Sequence, residues 1–153
     1  MKLSENFSLR EYTKSMTAER HGIDNTPSEQ HLEAAKLLFE NVMQPVRDQF
    51  GLTVITSGYR GAELNEKIGG SSNSQHCKGE ACDFECPPNA NGDIAAWIMK
   101  NLDFDQLILE FYTPGVPNSG WVHVSYKAEG NRKSILTAIR EDGKTQYIPG
   151  LVL

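Results

Sequence analysis

The chain has 153 residues, 39% of them hydrophobic and 23% charged, with a formal net charge of -5 at pH 7. A chain of this length suits a single domain, 1–153, that buries roughly 70% of its unfolded surface and needs no staples. Scattered Lys and Arg exclude a phosphate-neutralising stripe, and no apolar run is long enough to span a membrane, so neither nucleic acid nor membrane insertion is expected.

The segment Met1-Lys2-Leu3-Ser4-Glu5-Asn6 lacks the apolar stretch of a signal peptide, and synthesis in the cytoplasm is expected. Phe7-Ser8-Leu9-Arg10-Glu11 reads as a helix start, with Ser8 and Glu11 forming a capping box, and that helix should fade near His21-Gly22. A second start is read at Thr26-Pro27-Ser28-Glu29, with Thr26 as cap, Pro27 at the first helical position and Glu29 closing the box. Apolar residues then recur at helical spacing from Leu32 to Phe50, which predicts the main core helix, kinked at Pro45 and ended by Gly51. His21 and His31 have no second ligand type on their helical faces and read as solvent or packing residues.

Leu52-Thr53-Val54-Ile55-Thr56-Ser57 is β-branched and predicts a central strand opening into Gly58-Tyr59-Arg60-Gly61. A short helix over 62–68 is stopped by Gly69-Gly70, and a polar loop then delivers His76. Glu80 to Cys86 reads as a strand ended by Pro87-Pro88, and 92–102 as an amphipathic helix. Asp105–Tyr112 and Gly120–Tyr126 predict an antiparallel strand pair, and 134–147 a hairpin turning at Asp142-Gly143. The three cysteines, Cys77, Cys82 and Cys86, are odd in number and clustered, which favours free thiols over disulfides.

Strand alternation puts Ala81, Asp83 and Glu85 on one face, Trp121, His123 and Ser125 on another strand's face, and Gln106, Ile108 and Glu110 in phase on a third. The opposite faces, with Val122 and Val124 against Leu107, Leu109 and Phe111, belong to the core. One polar sheet face can thus gather His123, Asp83, Glu110 and Gln106 near the loop that carries His76. Two neutral histidines and a carboxylate can hold one Zn²⁺ and leave a fourth position open, where bound water ionises near pH 7, roughly. Glu110 is the in-phase carboxylate suited to general-base work, and Arg60 a fixed cation for a substrate carboxylate or a developing oxyanion. Ser74 and Gln106 are candidates for binding substrate. Spacing leaves plainer readings open: Glu110 as an edge carboxylate facing water, Arg60 as a surface turn residue, Trp121 and Tyr59 as packing.

The patterns Ser74-x-His76-x-x-Gly79-x-Ala81-x-Asp83 and Trp121-x-His123-x-Ser125 resemble the zinc-binding motifs of the D-alanyl-D-alanine carboxypeptidase and L-alanyl-D-glutamate endopeptidase family, which includes bacteriophage endolysins. Ser57-Gly58-Tyr59-Arg60 resembles that family's preceding strand-and-arginine segment, so the likeness covers roughly residues 30 to 126. The resemblance implies an α+β fold shared with the hedgehog signalling domain, a small antiparallel sheet with helices packed against it. It further implies His76, Asp83 and His123 as ligands of one Zn²⁺, and hydrolysis of a peptide bond in peptidoglycan stem peptides or crosslinks; a monomer is expected, acting at the cell wall, and the missing export signal fits a free endolysin, a virion-borne hydrolase or a cytoplasmic recycling enzyme. Several branches of the family carry the catalytic acid or base three residues before the last histidine, where this chain has Gly120, so the role falls to Glu110. A non-catalytic, zinc-stabilised binding module of the same fold is the alternative, and a metal-free structural domain a third.

Overall fold

No strand is expected before Phe7, yet in the computed structural model, which describes Met1–Leu153, Lys2–Ser4 (β1) and Phe7–Ser8 (β2) pair antiparallel and bury Leu3 and Phe7. Ser8 caps Leu9–Thr13 (α1): its hydroxyl accepts from the Glu11 N–H at 3.2 Å, and Glu11 accepts from the Ser8 N–H at 3.0 Å. The expected single helix breaks at Lys14 and Ser15, where the backbone is extended and Ser15 caps a separate helix, Met16–His21 (α2). A serine that can bond a backbone N–H three residues on competes with helix continuation, and here it wins.

The core helix starts two residues later than its sequence suggests. Ser28, not Thr26, caps Glu29–Leu38 (α3), because the Thr26 hydroxyl donates to Asp24 at 2.7 Å. Pro45 is met by a change of winding. Phe39–Met43 forms a π-helical stretch in which the Gln44 N–H reaches back to Phe39, before Gln44–Phe50 (α4) resumes and ends at Gly51. The wider turn accommodates a proline that has no N–H for the usual bond four residues back.

The next segments are Val54–Ser57 (β3), Ala62–Lys67 (α5), a 3₁₀ turn at Gln75–Lys78, Ala81–Glu85 (β4), Asn91–Asn101 (α6), Gln106–Glu110 (β5), Trp121–Ser125 (β6), Ser134–Glu141 (β7) and Lys144–Pro149 (β8). The six-stranded sheet runs β3-β4-β6-β5-β7-β8, antiparallel throughout except for the parallel β5–β7 pair. The run read as a central strand is therefore an edge, with Val54 exposed; β-branched composition marks a strand but not its rank in a sheet. The Asp142-Gly143 turn joins β7 to β8 as expected, both residues having positive φ.

One sheet face is covered by helices. Cys82, Phe84, Cys86, Leu107, Leu109, Val122 and Val124 join Leu38, Phe39, Val42, Met43, Ile94 and Ile98 in one core, each large apolar side chain contributing about 1.5–3 kcal/mol. Phe111 departs from the expected core alternation. Its φ of 57° ends β5, and its ring packs at 5.4 Å from that of Trp121 with the Arg140 guanidinium over it. The fold is thus α+β, a small antiparallel sheet and a larger sheet with helices on one face. No helix is long and apolar enough to cross a membrane.

Candidate metal centre

The uncovered face of the large sheet carries the polar residues. Asp83 on β4 stands directly opposite His123 on β6, and His123 opposite Ile108 on β5, so adjacent strands place the carboxylate and imidazole side by side. His76 arrives from the 3₁₀ turn just before β4. Ser74 caps that turn, accepting from the His76 N–H at 3.2 Å, and the Arg60 N–H donates to the His76 carbonyl at 3.1 Å.

These three side chains meet. One ligand atom from each of His76, Asp83 and His123 lies within 4.8 Å of the others. His76 Nε2 is 3.4 Å and His123 Nδ1 2.8 Å from the same Asp83 oxygen, Oδ1. Ligand atoms about 2.0–2.1 Å from a tetrahedral zinc ion are spaced by about 3.3 Å, so small adjustments fit the trio to such an ion. The His76 tautomer is fixed from behind: Nδ1 is 2.8 Å from the Gly58 carbonyl, which can only accept, so Nδ1 carries the proton and Nε2 keeps its lone pair for a ligand. That buttress requires glycine, since a Cβ at Gly58 would strike the Tyr12 carbonyl. Burial alone would raise the Asp83 pKa, but the hydrogen bond from His123, together with the nearby His76, holds it well below the usual carboxylate range. A carboxylate kept ionised between two imidazoles is the donor set a divalent cation needs. Cys82 lies on the core side of β4, and all three cysteines are free.

The trio sits in a groove of about 790 Å³ that also receives Arg60, Ser74, Gln106, Glu110 and Trp121. Every residue singled out from the sequence as a candidate lines it. Glu110 lies beside Trp121 in register. Burial, then the charge of Asp83, pushes its carboxyl up from the ordinary glutamate value, while His123 and Arg60 act in the opposite direction; the buried Trp121 indole N–H has no partner in the protein. Arg60 donates to Ser74 Oγ at 3.3 Å, and its buried Nε has no partner in the protein. Ser74 is thus engaged in holding the turn and the guanidinium. Gln106 lies further along, its amide 3.4 Å from the Ser134 hydroxyl. Gly120, with φ of 64°, has its missing Cβ aimed at the Glu110 carbonyl, so the place three residues before His123 has no room for an acidic side chain.

Sequence reasoning missed the support of the His76 turn. Asp105, 1% exposed, takes a two-pronged interaction from Arg132, Nε to Oδ1 at 3.0 Å and Nη2 to Oδ2 at 2.9 Å, and also accepts from Gln75 at 3.1 Å. Gln75 adjoins His76, so this network ties the ligand-bearing turn to the start of β5. No local motif announces it, because its members lie on three separate segments. The Arg132 hydrogen bond, which outweighs burial, lowers the Asp105 pKa. A depressed carboxylate adds stability above its unfolded pKa and loses it as pH falls through the folded value. Arg132→Ala is accordingly expected to cost roughly 1–2 kcal/mol near neutral pH, with the difference from wild type shrinking below about pH 4 in thermal melts.

A family model described as Peptidase M15 matches residues 5–125. No curated protein matches the chain.

Proposed function

Because the chain belongs to the peptidase M15 family, whose members are zinc-dependent metallopeptidases, we propose that it hydrolyses a peptide bond in bacterial peptidoglycan stem peptides or crosslinks, as a phage-type cell-wall hydrolase. The observation that carries this reading is the joining of the trio His76, Asp83 and His123 with Glu110 in one groove on the open sheet face.

His76 Nε2, His123 Nδ1 and an Asp83 oxygen would hold the zinc ion. When bound, zinc polarises the scissile carbonyl and makes water a stronger acid. The remaining work falls to side chains. Glu110, whose raised pKa brings it nearer to that of a base poised for neutral pH, takes the proton of the attacking water and returns it to the leaving amine. Arg60 pairs the oxyanion or a substrate carboxylate through its guanidinium. The Gly58 carbonyl and the Asp105–Arg132–Gln75 network keep His76 aimed while charge shifts at the centre.

Purified wall fragments incubated with the zinc-loaded protein, with and without chelator, test the reading. New amino and carboxyl termini, identified by mass spectrometry and abolished by chelator, are expected. Retained zinc with no new termini would replace the enzyme by a non-catalytic binding module of the same family.

A further inference from the structure

The family match ends at residue 125, but the sheet does not. Beyond it the chain returns as β7, pairs in parallel with β5, and turns back as β8. The register carries a row of side chains across the site face: Trp121 opposite Glu110, Glu110 opposite Ala138, and Ala138 opposite Tyr147. In-register partners on neighbouring strands share a face, so Tyr147 faces the side on which Glu110 lies. It lines the same groove as the trio, yet 57% of it is exposed. The core does not use this ring; it is a flat apolar surface held open beside the catalytic groove.

From β6, which holds His123, to β8 is three strand spacings, about 14 Å, or the length of about four extended residues. The groove also runs the other way, past His76 to Asn73 and Lys78. It therefore continues on both sides of the trio, a shape for a chain lying across the centre rather than for one terminal residue inserted into a closed end. We propose that the β7–β8 hairpin is a specificity element for an extended peptide substrate, with Tyr147 as the platform for residues several positions from the scissile bond. This rests on the peptidase reading above and makes it the cleavage of internal bonds in long or crosslinked peptides.

The test uses zinc-loaded full-length protein carrying Glu110→Gln, so that ligands survive, and two probes: D-alanyl-D-alanine and a crosslinked stem-peptide dimer. Affinities come from calorimetry. The dimer should bind at least about tenfold more tightly than the dipeptide, Tyr147→Ala should erase roughly that preference, and Tyr147→Phe should restore it, because the ring face rather than the hydroxyl does the binding. Zinc content and melting temperature identify any misfolded variant, and the Phe variant keeps the question open to test even then. An undiminished preference in Tyr147→Ala, or no preference at all, overturns the proposal. Should the preference hold while wild-type protein cuts neither probe nor wall fragments, the peptidase reading fails and the binding role of the hairpin stands.

Discussion

Glu110→Gln is expected to keep its zinc and its melting temperature and to lose on the order of a hundredfold or more in turnover. The substitution retains size and one carbonyl oxygen but removes the ability to accept a proton at neutral pH. No other acidic side chain has the same claim. Asp83 is engaged by both histidines, Asp105 is committed to Arg132 and Gln75, Glu80, the other acidic residue lining the groove, accepts from the Gln75 amide at 3.2 Å, and the backbone at Gly120 leaves no space for a side chain. A pH profile adds a second reading. A base works only when deprotonated, so kcat/KM should rise with pH through an acid limb lying above the ordinary glutamate range, since burial and Asp83 push Glu110 up. The Gln variant should lose that limb. Near-wild-type turnover in Glu110→Gln would move the base elsewhere.

Much of the site was legible because strand alternation is a strict period of two. Once Asp83, His123 and Glu110 are assigned to strands, their common face follows, and the register places Asp83 opposite His123. Helix ends were legible where a single serine or glycine decides them, as at Ser8 and Gly51. They were not where neighbouring polar residues compete, as when Asp24 draws the Thr26 hydroxyl and leaves the cap to Ser28. Strand order was beyond local pattern. Whether Val54–Ser57 is central or an edge depends on which strands arrive later, and the parallel pairing of β7 with β5 joins segments separated by the whole of β6. The same holds for the Asp105 network and the Gly58 carbonyl behind His76. Each is a long-range partner chosen by the fold, and composition records only that a glycine and an aspartate are present.

Replacing any one of His76, Asp83 and His123 by alanine should strip zinc from the protein, lowering affinity by more than about a hundredfold, the upper end of what losing a supporting hydrogen-bond partner alone costs. The three variants should nevertheless differ when metal is removed. His76→Ala leaves the Gly58 carbonyl without its partner in a buried position, a loss of roughly 1–3 kcal/mol, so the metal-free variant should melt below metal-free wild type. Asp83→Ala removes a carboxylate that is kept ionised only by its two histidines. With no cation present, those contacts outweigh its burial and hold its pKa below the unfolded value, so this metal-free variant should also melt below metal-free wild type near neutral pH, but by a margin that shrinks as pH falls. Zinc per chain, measured after dialysis against buffered metal, gives the first reading, and melting with and without chelator gives the second. Full zinc occupancy in any one variant removes that residue from the ligand set. Equal metal-free melting of the His76 variant and wild type would mean that the Gly58 contact orients the imidazole without holding the fold, which would confine the role of that carbonyl to the metal.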